Sequence, residues 1–287
     1  MENTGFPPSL YLVGAQKAGT TSLADYLDQH PNIVLSNPKE THYLTSIKNP
    51  NESWYRNCYV KTDNSSILLD ASTSYSMMPL SDKSLNIDAG RKKLLGIPEK
   101  IKAMSTDAKI IYLIRDPVKR AFSHYVHYLR AGYENRAFMD AIENDPMYLE
   151  AGYYAKQIDP YLNTFGKDNV LILFFEEFIR DPIIKVEECF DFIGVGQTEN
   201  LVKSKAKNEG FVFNPLGSVL NQGNLAKFIS NLVPEGIKPI LKKILTKEPP
   251  VMTYEEKTYL VSYYQDKNAE LENMLERRIE FWGRDIS

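Results

Sequence analysis

The stretch Leu10-Tyr11-Leu12-Val13-Gly14-Ala15-Gln16-Lys17-Ala18-Gly19-Thr20-Thr21-Ser22 decides the fold. Its four apolar residues (10–13), ended by a glycine, read as a buried strand, and residues 20–29 carry a helical pattern. A strand that passes through a glycine-bounded loop into a hydroxyl-rich helix start is an anion cradle. The glycines let the backbone curl so that successive N–H groups face one anion, and the helix N-terminus adds partial positive charge. Gly14 and Gly19 keep the spacing of the triphosphatase loop G-x-x-x-x-G-K-[ST], but Thr20 stands where that loop has its lysine. Lys17 lies inside the loop instead, as suits a ligand with one phosphate and something attached close by.

Working outward, apolar runs at 67–69, 109–114 and 170–175 read as further buried strands. Helical patterns stand at 89–104, 118–130, 155–165 and 181–192. Strands alternating with helices predict an α/β fold with a parallel sheet covered on both faces, and ligands on such sheets sit at the carboxyl ends of strands. The last third is loop-like over 203–224, rich in Pro and Lys up to 250, and helical over 253–281. With no repeat and no linker, the expectation is one P-loop-like domain over 1–287, with a nucleotide-binding core at 8–195 and an irregular, helical C-terminal part at 196–287. The 287 residues carry 34 basic and 37 acidic side chains, a net charge of −3, so any anion site must be local rather than a basic face for nucleic acid. Cys58 and Cys189 suit neither a disulfide framework nor a zinc site.

A second strand end repeats the logic of the first. In Ile114-Arg115-Asp116-Pro117-Val118-Lys119-Arg120-Ala121-Phe122-Ser123-His124-Tyr125, Arg115 caps the strand where a triphosphatase would place its magnesium carboxylate. Asp116 before Pro117 is a helix N-cap, and Ser123, two turns on, can share an anion with the Arg115 fork. Two phosphate sites at neighbouring strand ends imply a ligand with two separated phosphates, as in a 3′,5′-bisphosphate nucleotide.

These segments resemble the sulfotransferases that use 3′-phosphoadenosine 5′-phosphosulfate (PAPS), above all their heparan sulfate type. That type shares the forms G-x-x-K-x-G-T-T, H-P, E-x-H-[FY]-[FL] and R-[DN]-P-x-x-R-A-x-S-H-Y. Here they stand at 14–21, His30-Pro31, Glu40-Thr41-His42-Tyr43-Leu44 and 115–125. Residues 152–155, 174–178 and 180–182 continue the likeness, which is good over 8–195 and loose beyond. The resemblance implies sulfuryl transfer from PAPS to a hydroxyl or amine of a small-molecule or glycan acceptor, most naturally a saccharide or glycoconjugate, with PAP (3′-phosphoadenosine 5′-phosphate) as product and no metal. It further implies that Gly14, Gln16, Lys17, Ala18, Gly19, Thr20, Thr21 and Ser22 hold the 5′-phosphosulfate, and Arg115, Ser123 and Tyr154 the 3′-phosphate side. Glu40 is the expected base, with His42 in support, on an extended segment that puts both on one face. Lys205 and Lys207 approximate the family's late cofactor loop. One departure stands out: in Asp70-Ala71-Ser72-Thr73-Ser74-Tyr75, Ala71 occupies the position of a family lysine.

A P-loop kinase or NTPase would need a lysine after Gly19 and a magnesium carboxylate, which the sequence lacks. A non-catalytic nucleotide-binding scaffold is favoured by Ala71 and disfavoured by Lys17 and Glu40. His30 reads as a packing residue, His124 and His127 as structural, and Cys58 as structural. The acceptor side is expected at 39–44, 72–78, 152–154 and after 208, with Tyr43, Tyr75, Tyr153, Tyr154, Phe211 and Phe213 as its aromatics. Residues 237–245, with Lys238, Lys242 and Lys243, read as a surface helix. No stretch approaches the roughly 18 apolar residues of a membrane span, and the opening MENTGFPPSLYLVG lacks a secretory pattern, so the expectation is a cytoplasmic protein without stable membrane insertion. No coiled-coil heptad indicates an oligomeric state.

Overall fold

The computed structural model describes residues 5–46, 48–59, 66–198, 201, 212–213 and 246–283. Five strands, β1 (Leu10–Gly14), β2 (Ile33–Leu35), β3 (Ile67–Asp70), β4 (Lys109–Ile114) and β5 (Val170–Phe174), form one sheet in the order β2-β3-β1-β4-β5. Every pairing in it is parallel. β1 is buried along its whole length and β4 nearly so, which is why both are unbroken apolar runs rather than alternating ones. From β1 the chain moves toward β2 and β3, and from β4 it moves the other way to β5. The carboxyl ends of β1 and β4 therefore flank the crevice where doubly wound sheets bind ligands.

The helices are α1 (Thr20–Leu27), α2 (Glu52–Asn57), α3 (Asp82–Asn86), α4 (Ile97–Met104), α5 (Pro117–Ala131), α6 (Phe138–Asn144), α7 (Met147–Glu150), α8 (Tyr154–Phe165), α9 (Phe175–Arg180), α10 (Pro182–Ile193) and α11 (Tyr254–Leu275). The expected helix at 89–104 is instead a 3₁₀ turn, Ala89–Leu94, followed by α4. Gly96, at φ 66°, and Pro98 enforce that break. β2 was not foreseen, since three residues give no periodic signal. Phe175 belongs to α9 rather than to the preceding strand. α11 starts with a Thr253–Glu256 capping box and stops at Leu275, short of the expected 281. It lies on the core through buried Leu260, Tyr264 and Leu271, and Tyr264 Oη donates to the Leu149 carbonyl at 2.7 Å. Beyond it, Trp282 packs against Phe174 and Tyr154. No helix among the described residues is long and apolar enough to cross a membrane.

Candidate active site

The loop after β1 is built for close approach. Lys17 has φ 70° and Gly19 φ 90°, the left-handed region. A Cβ on Gly14 would lie 1.9 Å from Ser76 Oγ, and one on Gly19 would lie 2.8 Å from the Phe175 ring. Both positions thus exclude a side chain, because Ser76 and Phe175 pack directly on the loop backbone. Gly19 is the N-cap of α1, whose first residue, Thr20, is buried. Burial, then the charges of Arg130 and Arg115, push the Lys17 ammonium below its ordinary pKa, with Glu40 acting the other way.

Arg115 joins this loop to the second anion segment. Its Nη1 donates to the Lys17 carbonyl at 3.0 Å, and its guanidinium lies 4.9 Å from the Phe175 ring centre. Its Nε is sealed from solvent without a hydrogen-bond partner among the described residues. Tyr154 holds the backbone here. Its Oη donates to the Arg115 carbonyl at 2.8 Å and accepts from the Arg115 N–H at 3.3 Å. Asp116 caps α5 by accepting from the N–H groups of Val118 and Lys119, at 2.9 and 3.4 Å.

The third component hangs from Asp70, which is fully buried at the end of β3. Its Oδ2 accepts from Tyr55 Oη at 2.7 Å, Thr41 Oγ1 at 2.8 Å and Tyr75 Oη at 3.0 Å, and its Oδ1 accepts from Ser72 Oγ at 2.6 Å. Burial raises the Asp70 pKa against the pull of these hydroxyls. The hub ties residues 41–44 to residues 72–75 and so sets Glu40 at the crevice. Thr73 Oγ1 donates to Glu40 Oε2 at 2.9 Å, Lys39 Nζ lies 3.3 Å from Glu40 Oε1, and His42 Nε2 lies 3.4 Å from Glu40 Oε2. Burial alone would raise the Glu40 carboxyl, but Lys39, Thr73 and His42 outweigh it and hold the group below its ordinary pKa. An ionised carboxylate only accepts, so His42 Nε2 presents a proton to it, while Nδ1 lies 2.8 Å from Ser74 Oγ. The segment is not extended as expected: His42 has φ 51°, and a turn rather than strand alternation brings the two side chains together.

One cavity of about 1160 Å³ collects these groups. Gln16, Lys17, Gly19, Thr20, Thr21, Ser22, Glu40, His42, Arg115 and Ser123 all line it. Gly14, Ala18 and Tyr154 are buried behind its wall, and Lys205 and Lys207 lie outside the described residues, as does the segment 237–245. Of the expected acceptor aromatics, Phe211 and the Phe213 side chain lie outside the described residues, and three others turn elsewhere. Tyr43 stacks on Tyr55 with ring centres 4.1 Å apart, Tyr75 is buried on Asp70, and Tyr153 Oη donates to Glu270. Sequence reasoning missed two walls. Tyr26, Phe175, Phe178 and Ile179 give an apolar face, and α5 presents Lys119, Ser123, His127 and Arg130 in one stripe. The stripe was readable, since spacings of four, four and three residues place side chains on one helix face. His127 is therefore a cavity residue, whereas His124 is fully buried. His30 packs on Phe190 and bonds the Gly196 carbonyl at 2.9 Å, and Cys58 is buried. Among the described residues no cluster of three or more His, Cys, Asp or Glu side chains is placed to hold a metal.

A parallel sheet with an anion loop after β1, an arginine at the end of β4 and a carboxylate across the crevice defines an α/β fold with an anion site at its switch point. Its kind is given by residues 7–212, which match the sulfotransferase domain family, and the chain belongs to that family. It is 27% identical over 197 residues to mouse heparan sulfate glucosamine 3-O-sulfotransferase 3B1, covering 66% of this chain and 46% of that protein. It is also 27% identical over 292 residues to the mouse bifunctional heparan sulfate N-deacetylase/N-sulfotransferase 4, covering 94% of this chain and 30% of that one. The chain thus spans less than half the length of both relatives. The fold is that of a sulfotransferase from Alicyclobacillus acidocaldarius, at TM-score 0.67 and 24% identity, covering 96% of this chain and 99% of that one. Mouse sulfotransferase SULT7A1, solved in complex with PAP, superposes at TM-score 0.51 and 16% identity, covering 94% and 87%.

Proposed function

We propose that the chain transfers a sulfuryl group from PAPS to a hydroxyl or amine of a saccharide-containing acceptor, with Glu40 as base. The observation that carries this reading is the meeting of Lys17, Glu40 and Arg115 in one cavity, with two anion segments joined by the Arg115–Lys17 bond. The residues fit the nucleotide. Arg115 Nε, a donor, and Gln16 Oε1, an acceptor, are buried polar atoms without partners among the described residues.

When bound, PAPS supplies an activated sulfuryl group: the acceptor oxygen or nitrogen bonds to sulfur, the S–O bond to the 5′-phosphate breaks, and its electron pair leaves with PAP. Lys17 and the N-terminus of α1 meet the negative charge at the 5′ end. The Arg115 fork and Ser123 hold the 3′-phosphate, and the apolar face of Tyr26, Phe175 and Phe178 suits a purine ring. Glu40, already ionised, takes the acceptor's proton on a carboxylate oxygen, while Thr73, Lys39 and His42 keep it aimed. The saccharide acceptor is supported by the heparan sulfate relatives.

Calorimetric titration with PAP, AMP and magnesium ATP tests the reading. Metal-independent PAP binding that weakens sharply for AMP is the expected result, followed by transfer from labelled PAPS to glycan acceptors. A preference for magnesium ATP would hand the site to a kinase, and binding to none of the three would favour a scaffold.

A further inference from the structure

Arg130 is a charged side chain of the α5 stripe to which the nucleotide reading gives no part. It lies in the last turn of α5, where the helix's C-terminal carbonyls partly offset a cation. Its Nε is sealed from solvent with no hydrogen-bond partner, and no carboxylate pairs with it among the described residues. A guanidinium in a cavity wall with a sealed, unpartnered N–H gains a contact when an anion arrives.

Its position says which anion. Ser123, His127 and Arg130 follow one another along a helix face, and seven residues at about 1.5 Å each place Arg130 about 10 Å beyond Ser123. There it lines the same cavity as Lys17 and Glu40. Burial apart, the charge of Arg130 is the strongest influence depressing the Lys17 ammonium, ahead of Arg115, which touches the Lys17 backbone. His127, between them, feels both Lys17 and Arg130 as repulsive and Glu40 as attractive. Two repelling cations that face a shared space, with the base across from them, are stabilised together by an anion set between them.

We infer that Arg130 is a further catalytic residue, a second cation opposite Lys17 that contacts the non-bridging oxygens of the sulfuryl group. The assignment rests on the proposed use of PAPS. Lys17 is then free to serve the bridging oxygen, while Arg130 fixes the sulfuryl group in line between that oxygen and Glu40. A planar fork suits two oxygens of a tetrahedral anion better than an ammonium does.

PAP lacks the sulfuryl group, so the pair PAP and PAPS isolates this contact. The affinities of the wild type, Arg130→Met and Arg130→Lys for both nucleotides are measured by calorimetry without acceptor. Arg130→Met is expected to weaken PAPS about tenfold, the loss of one charge-assisted contact, and to leave PAP within about twofold. Arg130→Lys should recover part of the PAPS affinity. Retained PAP binding shows that the variant is folded. Equal loss for both nucleotides would overturn the inference by making Arg130 a phosphate or structural residue. Unchanged affinity for both, with a raised KM for acidic acceptors, would overturn it by moving Arg130 to the acceptor. Absence of PAP and PAPS binding in the wild type would instead sink the proposed function.

Discussion

Replacement of Glu40 by Gln separates chemistry from structure, because the two effects differ in size by orders of magnitude. The carboxylate is held by Thr73 Oγ1 at 2.9 Å, Lys39 Nζ at 3.3 Å and His42 Nε2 at 3.4 Å, with about a third of the side chain exposed. A pair so placed contributes about 1 kcal/mol or less, and Gln retains an oxygen for Thr73. The expected Tm change is under about 4 °C. PAP affinity should be unchanged, since Glu40 faces the acceptor rather than the phosphates. As a general base, however, the carboxylate contributes about 10²- to 10⁴-fold in rate, or about 3 to 5 kcal/mol of barrier. Transfer from labelled PAPS under acceptor saturation should therefore fall by at least two decades in kcat. The same geometry fixes the pH dependence. Because Lys39, Thr73 and His42 hold Glu40 below its usual 4.5, the acid limb of kcat/KM should lie below that pH and activity be lost as pH falls through it. Lys39 is the largest of the influences that lower it, so Lys39→Met should shift the limb upward, where burial pushes it. A Glu40→Gln variant with wild-type kcat, or a limb indifferent to Lys39, would refute the assignment of the base.

Three further outcomes test the scaffold around that base. Gly19→Ala forces a side chain onto a φ of 90° and against the Phe175 ring, so it should cost about 1 to 3 kcal/mol in thermal unfolding and weaken PAP measurably by calorimetry. Asp70→Ala strands four buried hydroxyls, Thr41, Tyr55, Ser72 and Tyr75. A loss on the order of 4 kcal/mol is expected, read as a Tm drop of roughly 10 °C. Glu134 is held down to about 2 against its burial by Arg136 and the N–H groups of Asn135 and Arg136. Its folded pKa is depressed, so the stability it gives is present above 4.5 and lost as pH falls toward 2. Glu134→Gln should remove about 2 kcal/mol at neutral pH, allowing for the exposure of Arg136, and leave stability flatter with acid in denaturant titrations.

The sheet was legible wherever burial on both faces forces a continuous apolar run. β4, six residues from Lys109 to Ile114, is where the sequence put it. β2 was invisible because three residues carry no period, and 89–104 was misread because its apolar spacing continues across Gly96 and Pro98, which the backbone does not. The anion loop was legible for another reason: its chemistry depends on residues adjacent in sequence, and Gly14, Lys17 and Gly19 announce themselves.

The acceptor side obeyed neither rule, and Asp70 shows why. Tyr43 and Tyr75 are candidates for the acceptor wall because aromatics near a crevice suit sugar rings, flat phenols or a lipid chain alike. A buried carboxylate must first be satisfied, and Thr41, Tyr55, Ser72 and Tyr75 are spent on it, with Tyr43 packed on Tyr55. What remains at the crevice is what that hub does not consume: Glu40, His42, Thr73 and Ser74 on one side, and the stripe of α5 on the other. The alanine at 71 fits the same division. Ala71 is fully buried, and Lys39 Nζ reaches its carbonyl at 3.3 Å while also touching Glu40. The cation beside the base therefore comes from the residue preceding Glu40, and those facing Lys17 come from α5. Among the described residues the cavity wall sets Lys17, Arg115 and Arg130 against the one carboxylate of Glu40, an imbalance that an anionic ligand corrects.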